Sequence, residues 1–247
     1  MKVFKNINYG ELEQQRLDLY IPDSENFTVF VFFHGGGLEG GDKSEIEIAV
    51  PYLVDRDIAV VSANYRLYPE AKYPEFICDA AAAVAWAMEN IHEYGKCDKF
   101  IVGGSSAGAY LSMMLCFDKR YLSAHNIDLS KIAGFIHNAG QPTCHFNVLR
   151  ERGLDTRRVI VDESAPLYHI GVEKCYPPML FIVSDNDMEN RYEQTMLAIS
   201  TLKHFGADSS KVQLKVMHGG HCEHVFALDD DSESVFGKLI HEFISRL

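Results

Sequence analysis

Positive charge is scarce in this chain: 23 Lys and Arg stand against 35 Asp and Glu, a formal net charge of −12 over 247 residues. A nucleic-acid partner or an anionic membrane surface wants a basic face, so neither is an expected partner. The acidity serves solubility. Long apolar runs are missing too, and none approaches the roughly 18–20 residues of a membrane span. The N-terminal Met1-Lys2-Val3-Phe4-Lys5-Asn6-Ile7-Asn8-Tyr9 reaches polar residues before the apolar core of an export signal can form. Six cysteines (Cys78, Cys97, Cys116, Cys144, Cys175, Cys222) are scattered without a CxxC pair. Reduced thiols and a cytoplasmic address are therefore expected. Internal repeats, low-complexity segments and a second-domain linker are all lacking, and 47% hydrophobic residues suit one large domain spanning 1–247.

What is present is an alternation of apolar runs with longer helical patterns. The runs predict strands at 2–8, 16–21, 28–33, 58–63, 99–103, 132–137, 179–184 and 212–217. Helices are predicted over 44–56, 74–93, 106–118, 190–206 and 232–246. The first two strands alternate in polarity, as antiparallel edge strands do, whereas the later ones are near-continuously apolar, as in a parallel sheet covered on both faces. The pattern predicts an α/β fold with a doubly wound, mostly parallel eight-stranded sheet flanked by helices. One connection, about forty residues over 138–178, is too long for a plain link and reads as a lid-like insertion. Its expected effect is on substrate preference rather than on the reaction chemistry.

Two glycine motifs carry the chemistry. Gly104-Ser105-Ser106-Ala107-Gly108 lies between the apolar Phe100-Ile101-Val102 and the helical pattern from Tyr110. A Gly-x-Ser-x-Gly in that setting is a nucleophile elbow, a sharp turn that pushes the middle serine out of the sheet edge. Alone the pentapeptide is a modest signal. His34-Gly35-Gly36-Gly37, placed directly after the run Val29–Phe33, strengthens it, because an HGGG loop supplies the oxyanion hole that such an elbow needs. Ser106 is thus the candidate nucleophile, and the N–H groups of Gly36, Gly37 and Ala107 are the candidate oxyanion donors. A serine hydroxyl is a weak nucleophile, so a histidine base and an acid to orient it are required, and in this fold they follow in the order acid, then histidine.

Asn64-Tyr65-Arg66-Leu67-Tyr68-Pro69-Glu70, followed by Tyr73-Pro74 and Asp79, resembles a signature of the hormone-sensitive-lipase-like esterases. The stretch His34–Gly37 with Gly41-Asp42-Lys43 is similar to the same group. Ser105 stands where many of those proteins carry Asp, and strands begin almost at residue 2, where larger members have an N-terminal helical cap. Both features look more like compact bacterial esterases of feruloyl or acetyl-xylan esterase type. The resemblance implies an α/β-hydrolase fold without an N-terminal cap.

The acid is expected after the strand 179–184, where Asp185 and Asp187 are both available. Counting from Pro178 puts Asp187 at the family position, and either residue could instead cap the following helix. The base is expected after the last strand, where His218, His221 and His224 crowd together. His221, just past Gly219 and Gly220, fits the family pattern best. The same crowd, with Cys222 and Glu223, raises a metal site as the weaker reading, since no HExxH or regular helix aligns the side chains. No cofactor or metal is expected. His34, Tyr65, Arg66 and Asp79 are expected to be structural, with Arg66 and Asp79 paired beneath the loops.

The expected activity is a serine carboxylic ester hydrolase with a Ser-His-Asp triad, acting on short-chain or carbohydrate-linked small-molecule esters. Two alternatives stay open: an arylformamidase-like amide hydrolase, and a non-catalytic hydrolase-fold binding module. Nothing in the residues sets the oligomeric state.

Overall fold

Strands that are apolar at every position are stable only where both of their faces are covered. The computed structural model describes residues 1–247 and meets that demand with one eight-stranded sheet between two helical layers. The strands are β1 (Lys2–Asn8), β2 (Arg16–Ile21), β3 (Asn26–Phe33), β4 (Ile58–Ala63), β5 (Lys96–Ser105), β6 (Gly134–Asn138), β7 (Met179–Ser184) and β8 (Val212–Met217). The helices are α1 (Val50–Val54), α2 (Glu75–Asn90), α3 (Ala107–Phe117), α4 (Lys119–Ser123), α5 (Phe146–Glu151), α6 (Pro166–His169), α7 (Arg191–His204) and α8 (Val235–Ile244).

The strand order is β1-β2-β4-β3-β5-β6-β7-β8. β2 runs antiparallel to β1 and β4, and every other pair is parallel. Alternate residues of β3 feed two separate cores. Val29, Val31 and Phe33 pack with α2 and α3, while Phe30 and Phe32 pack with α1 and α8. β3 and β5 are neighbours, yet the chain leaves β3 toward β4 and leaves β5 toward β6. Such a divergence at the C-terminal ends of the strands is the usual ligand position, the crevice, of an open α/β sheet. The HGGG loop follows β3 and Ser106 follows β5, so the topology brings both motifs to the crevice.

Several sequence expectations shift in detail. Residues 44–56 are not one helix but a 3₁₀ turn, Lys43–Ile46, followed by α1, because Pro51 lacks the N–H that a continuous helix would use. β2 is not an edge strand: it lies between β1 and β4, with Asp18 2% and Tyr20 4% exposed. Its alternating polar residues are buried because they are partnered. Asp18 accepts from the Lys5 ammonium at 3.0 Å and the Asn6 N–H at 2.8 Å, and pairs with Lys43 at 3.5 Å. β5 is longer than expected at both ends, since its pairing with β3 extends from Lys96 to Gly104. Within 138–178, the short α5 and α6 break what reads in the sequence as one irregular connection.

Candidate active site

Ser106 occupies the turn between β5 and α3 with φ 52° and ψ −111°, a backbone conformation that costs a non-glycine residue of order 1–3 kcal/mol. The surroundings hold it there. Its N–H donates to the Asn138 carbonyl at 2.7 Å, and its own carbonyl accepts from the Tyr110 N–H at 3.0 Å. The flanking glycines are required by close approach. A Cβ on Gly104 would lie 2.4 Å from the Gly108 carbonyl carbon, and one on Gly108 would lie 2.0 Å from the Phe33 carbonyl oxygen. Ser105 faces another way: it is buried, and its hydroxyl accepts from Asn138 Nδ2 at 3.0 Å.

Among the candidate bases, His221 is the one that reaches Ser106, with Nε2 2.8 Å from Oγ. Its Nδ1 lies 2.5 Å from Asp187 Oδ1. The Asp187 side chain is 1% exposed and accepts further bonds from the Met188 N–H at 2.8 Å and the Ser184 N–H at 3.2 Å. Burial alone would push its carboxyl up, but the bonds from His221 and the two N–H groups outweigh that and hold it below its ordinary value.

The other candidates go elsewhere. Asp185 accepts from His218 at 2.7 Å in a second acid–histidine pair, whose imidazole is 97% exposed and remote from any serine contact. That carboxylate raises the His218 pKa. His224 is buried and turns Nε2 to Asn138 Oδ1 at 2.8 Å. The three imidazoles therefore face three different partners and do not converge on one point.

The N–H groups of Gly36, Gly37 and Ala107 make no hydrogen bond to the rest of the chain, and Ala107 is the first residue of α3. Free N–H groups at a helix start attract developing negative charge. The loop that carries the two glycines is braced from several sides. His34 donates from Nδ1 to the Gly35 carbonyl at 2.7 Å and stacks on Tyr65 with ring centroids 4.5 Å apart. Burial pushes its pKa down to about 4, so the ring is neutral at pH 7. The Tyr65 hydroxyl donates to the His34 carbonyl at 2.9 Å. Arg66 grips Asp79 with two bonds of 2.8 and 3.0 Å, as the sequence suggests.

Four participants are not apparent in the sequence. Glu45 accepts the Gly35 N–H at 2.9 Å, while its second oxygen is buried without a partner. Burial, opposed by that N–H, pushes its carboxyl up to about 7. Asn138 ties the elbow to the histidine loop through Ser105 and His224. Asn147 of α5 donates from Nδ2 to the Gly37 carbonyl and to Glu39 Oε2, both at 3.1 Å, and Arg150 pairs with the same Glu39. Arg191 lies beside the acid loop with its guanidinium buried. A polar residue ending the apolar β6 is the one local signal among these, and it marks Asn138.

Comparison with known proteins agrees with this architecture. The BD-FAE family model matches residues 17–138. A carboxylesterase of Mycobacterium tuberculosis, NlhH, is 35% identical over 115 residues, covering 45% of this chain and 36% of that protein. A probable isoprenylcysteine alpha-carbonyl methylesterase of Arabidopsis thaliana, ICMEL2, is 32% identical over 121 residues, covering 48% of this chain and 29% of the other. The aligned segments thus span about a third of these curated relatives. Two solved structures match nearly end to end. A truncated carbohydrate esterase from gut microbiota superposes with a TM-score of 0.75 at 20% identity, covering 98% of this chain and 96% of its own. The propionate-bound esterase Est2 of Thermogutta terrifontis gives 0.76 at 22% identity, covering 99% and 93%. Residues 17–138 thus resemble the BD-FAE family, and the chain as a whole shares the fold of these solved esterase structures.

Proposed function

We propose that the protein is a serine carboxylic ester hydrolase that works through an acyl-enzyme, with Ser106 as nucleophile, His221 as base and Asp187 as the acid that orients it. The reading is carried by one observation: a single imidazole bridges a strained serine at the end of β5, at 2.8 Å, and a buried carboxylate at 2.5 Å. His221 takes the Ser106 proton as the hydroxyl attacks the ester carbonyl. Asp187, bonded to Nδ1, keeps the proton-accepting nitrogen facing Ser106 and stabilises the imidazolium that forms. The carbonyl oxygen, now negative, is received by the N–H groups of Gly36, Gly37 and Ala107, each such donor contributing ~3 kcal/mol to lowering the barrier. His221 then protonates the leaving alcohol. Water enters, is deprotonated by the same imidazole, and releases the acyl group as acid.

The substrates are small esters of short acyl chains or of carbohydrate alcohols, under a roof formed by residues 138–178. No cofactor enters the scheme. The similar proteins support this reading, since they include a carboxylesterase, a carbohydrate esterase and an esterase phosphonylated by cyclosarin. A fluorophosphonate probe tests it: the adduct is expected on Ser106 and absent from Ser105. A panel of acetate to octanoate esters, acetylated xylan, methyl ferulate and N-formylkynurenine separates ester from formamide hydrolysis. No labelling and no turnover would leave a binding module as the reading.

A further inference from the structure

A cavity of about 280 Å³ is lined by α5, the 156–159 segment and the chain from Met188 into α7. Phe146 forms one wall and packs over Gly37, where an added Cβ would come within 2.9 Å of the ring. Met188, one residue beyond Asp187, also lines it. The charges around this space are Arg157, Arg158, Arg191 and Glu189, in a chain whose net charge is −12. Cations therefore dominate here against the trend of the molecule.

Two of these arginines lack a carboxylate partner. Arg191 is 4% exposed, yet no carboxylate lies within 4.0 Å of it. Its Nη1 donates to the Ala139 carbonyl at 2.8 Å, and Nη2 meets only the Met188 sulfur at 3.9 Å. Asp187 acts on it through space, but that carboxylate is bonded to His221. Arg158 is exposed and makes no ion pair, whereas its neighbour Arg157 is held by Asp155 at 2.6 Å. A buried cation without an oxygen counter-ion is costly, and an arriving anion recovers part of that cost. Guanidinium donors suit a carboxylate, whose two oxygens match their fork.

We propose that this cavity binds a carboxylate borne by the ester substrate, with Arg158 meeting it at the mouth and Arg191 holding it from the wall. The proposal rests on Ser106 being the centre of an ester hydrolase, and it adds a substrate class: half-esters and other esters with a free acid group close to the scissile bond. The carboxylate could sit on either half of the ester, so two matched pairs are needed. On the acyl side these are mono-4-nitrophenyl glutarate and 4-nitrophenyl pentanoate. On the alcohol side they are 4-acetoxybenzoate and its methyl ester.

The readout is the ratio of kcat/KM for the acid to that for its neutral partner, after subtraction of spontaneous hydrolysis. In the wild type one pair is expected to show a ratio of about ten or more, the effect of one charge-assisted hydrogen bond. Added salt should shrink it. Arg158→Glu should bring it below one, and Arg191→Met should lower it. Arg158 is exposed and unpaired, so its variants carry the test even if Arg191→Met fails to fold. Neutral esters turned over with both ratios near one, unmoved by Arg158→Glu, would overturn the carboxylate site and leave the hydrolase reading standing. If no ester of any kind is hydrolysed, the hydrolase reading fails, and calorimetry with glutarate decides for the cavity. Binding that Arg158→Glu abolishes supports it, and no binding overturns it.

Discussion

The imidazole Nε2 of His221 rests 2.8 Å from the hydroxyl of Ser106, a contact between residues 115 positions apart. Ser106→Ala and His221→Ala are each expected to abolish ester hydrolysis, and the double variant should be no worse than either single one, because a nucleophile and its base act as a unit. Steady-state kinetics on all three checks this. Turnover by Ser106→Ala within tenfold of wild type would remove the nucleophile assignment.

Asp187 and Asp185 hold different histidines, and substitutions should separate them. Asp187→Asn is expected to lower kcat by about 10⁴, the loss seen when a triad acid can no longer hold the histidine tautomer. Asp185→Asn and His218→Ala break an exposed, solvent-screened pair and should leave kcat within a few-fold of wild type. A reversed ranking would mean that the exposed pair is the working one.

Glu45 supports the oxyanion loop through the Gly35 N–H. Glu45→Gln keeps an oxygen acceptor at that position and should retain most of the activity. Glu45→Ala leaves a part-buried N–H unpaired, at a cost of about 1–3 kcal/mol, and should depress kcat more than KM. Equal kcat in the two variants would show that this bond does not position the loop.

Acid should weaken the fold. Burial pushes the pKa values of His34, His137 and His224 down to about 4, 3 and 4, and that of His145 far below its usual range. The unfolded chain takes up these protons near pH 6.5, so the stability they contribute is full above that value and is lost as pH falls toward 4. Glu45 acts oppositely: with a folded value of about 7, its contribution is full below its unfolded value of about 4.5 and lost as pH rises through 7. Burial also raises the Glu151 carboxyl, so four histidines oppose two carboxyls, and stability should climb between about pH 4.5 and 6.5, by up to roughly 1.4 kcal/mol per unit for each histidine. Denaturant midpoints across that range measure the slope. His137→Phe, in a cluster with Phe117, Phe135 and Phe181, should make it shallower.

For neutral esters, kcat/KM is expected to peak at about two to four acyl carbons and fall toward octanoate. An open site leaves part of a longer chain in water, so each methylene gains less than the ~0.8 kcal/mol of full burial. A value rising steadily to octanoate would point instead to an enclosed tunnel.

Most of the fold was legible because a parallel strand advertises itself locally: Val29–Phe33 and Met179–Val183 are unbroken apolar runs, and both are buried throughout. The elbow and the HGGG loop are legible for a related reason, since each needs glycines at fixed spacing. The partners of Glu45 and Asn147 had no such signature. Asn147 meets Gly37 across 110 positions, and nothing near either residue in the chain announces the contact. Asp18 misled for the same reason: its alternation with leucines suggested an edge strand, while its cations, Lys5 and Lys43, come from β1 and from a distant turn. Local pattern reports what a segment buries, and long-range hydrogen bonds report only on the finished fold.

Asn147 and Arg150 join the segment proposed to roof the site to the machinery proposed beneath it. A segment expected to affect substrate preference more than chemistry is fastened, through Asn147 on the Gly37 carbonyl and Arg150 on Glu39, to the loop that is proposed to receive the oxyanion. Swapping residues 141–160 for those of a cousin enzyme should therefore carry a penalty in turnover along with any new preference, unless Asn147, Arg150 and Glu39 travel together. In this chain, any redesign of the segment has to be made around those three rivets.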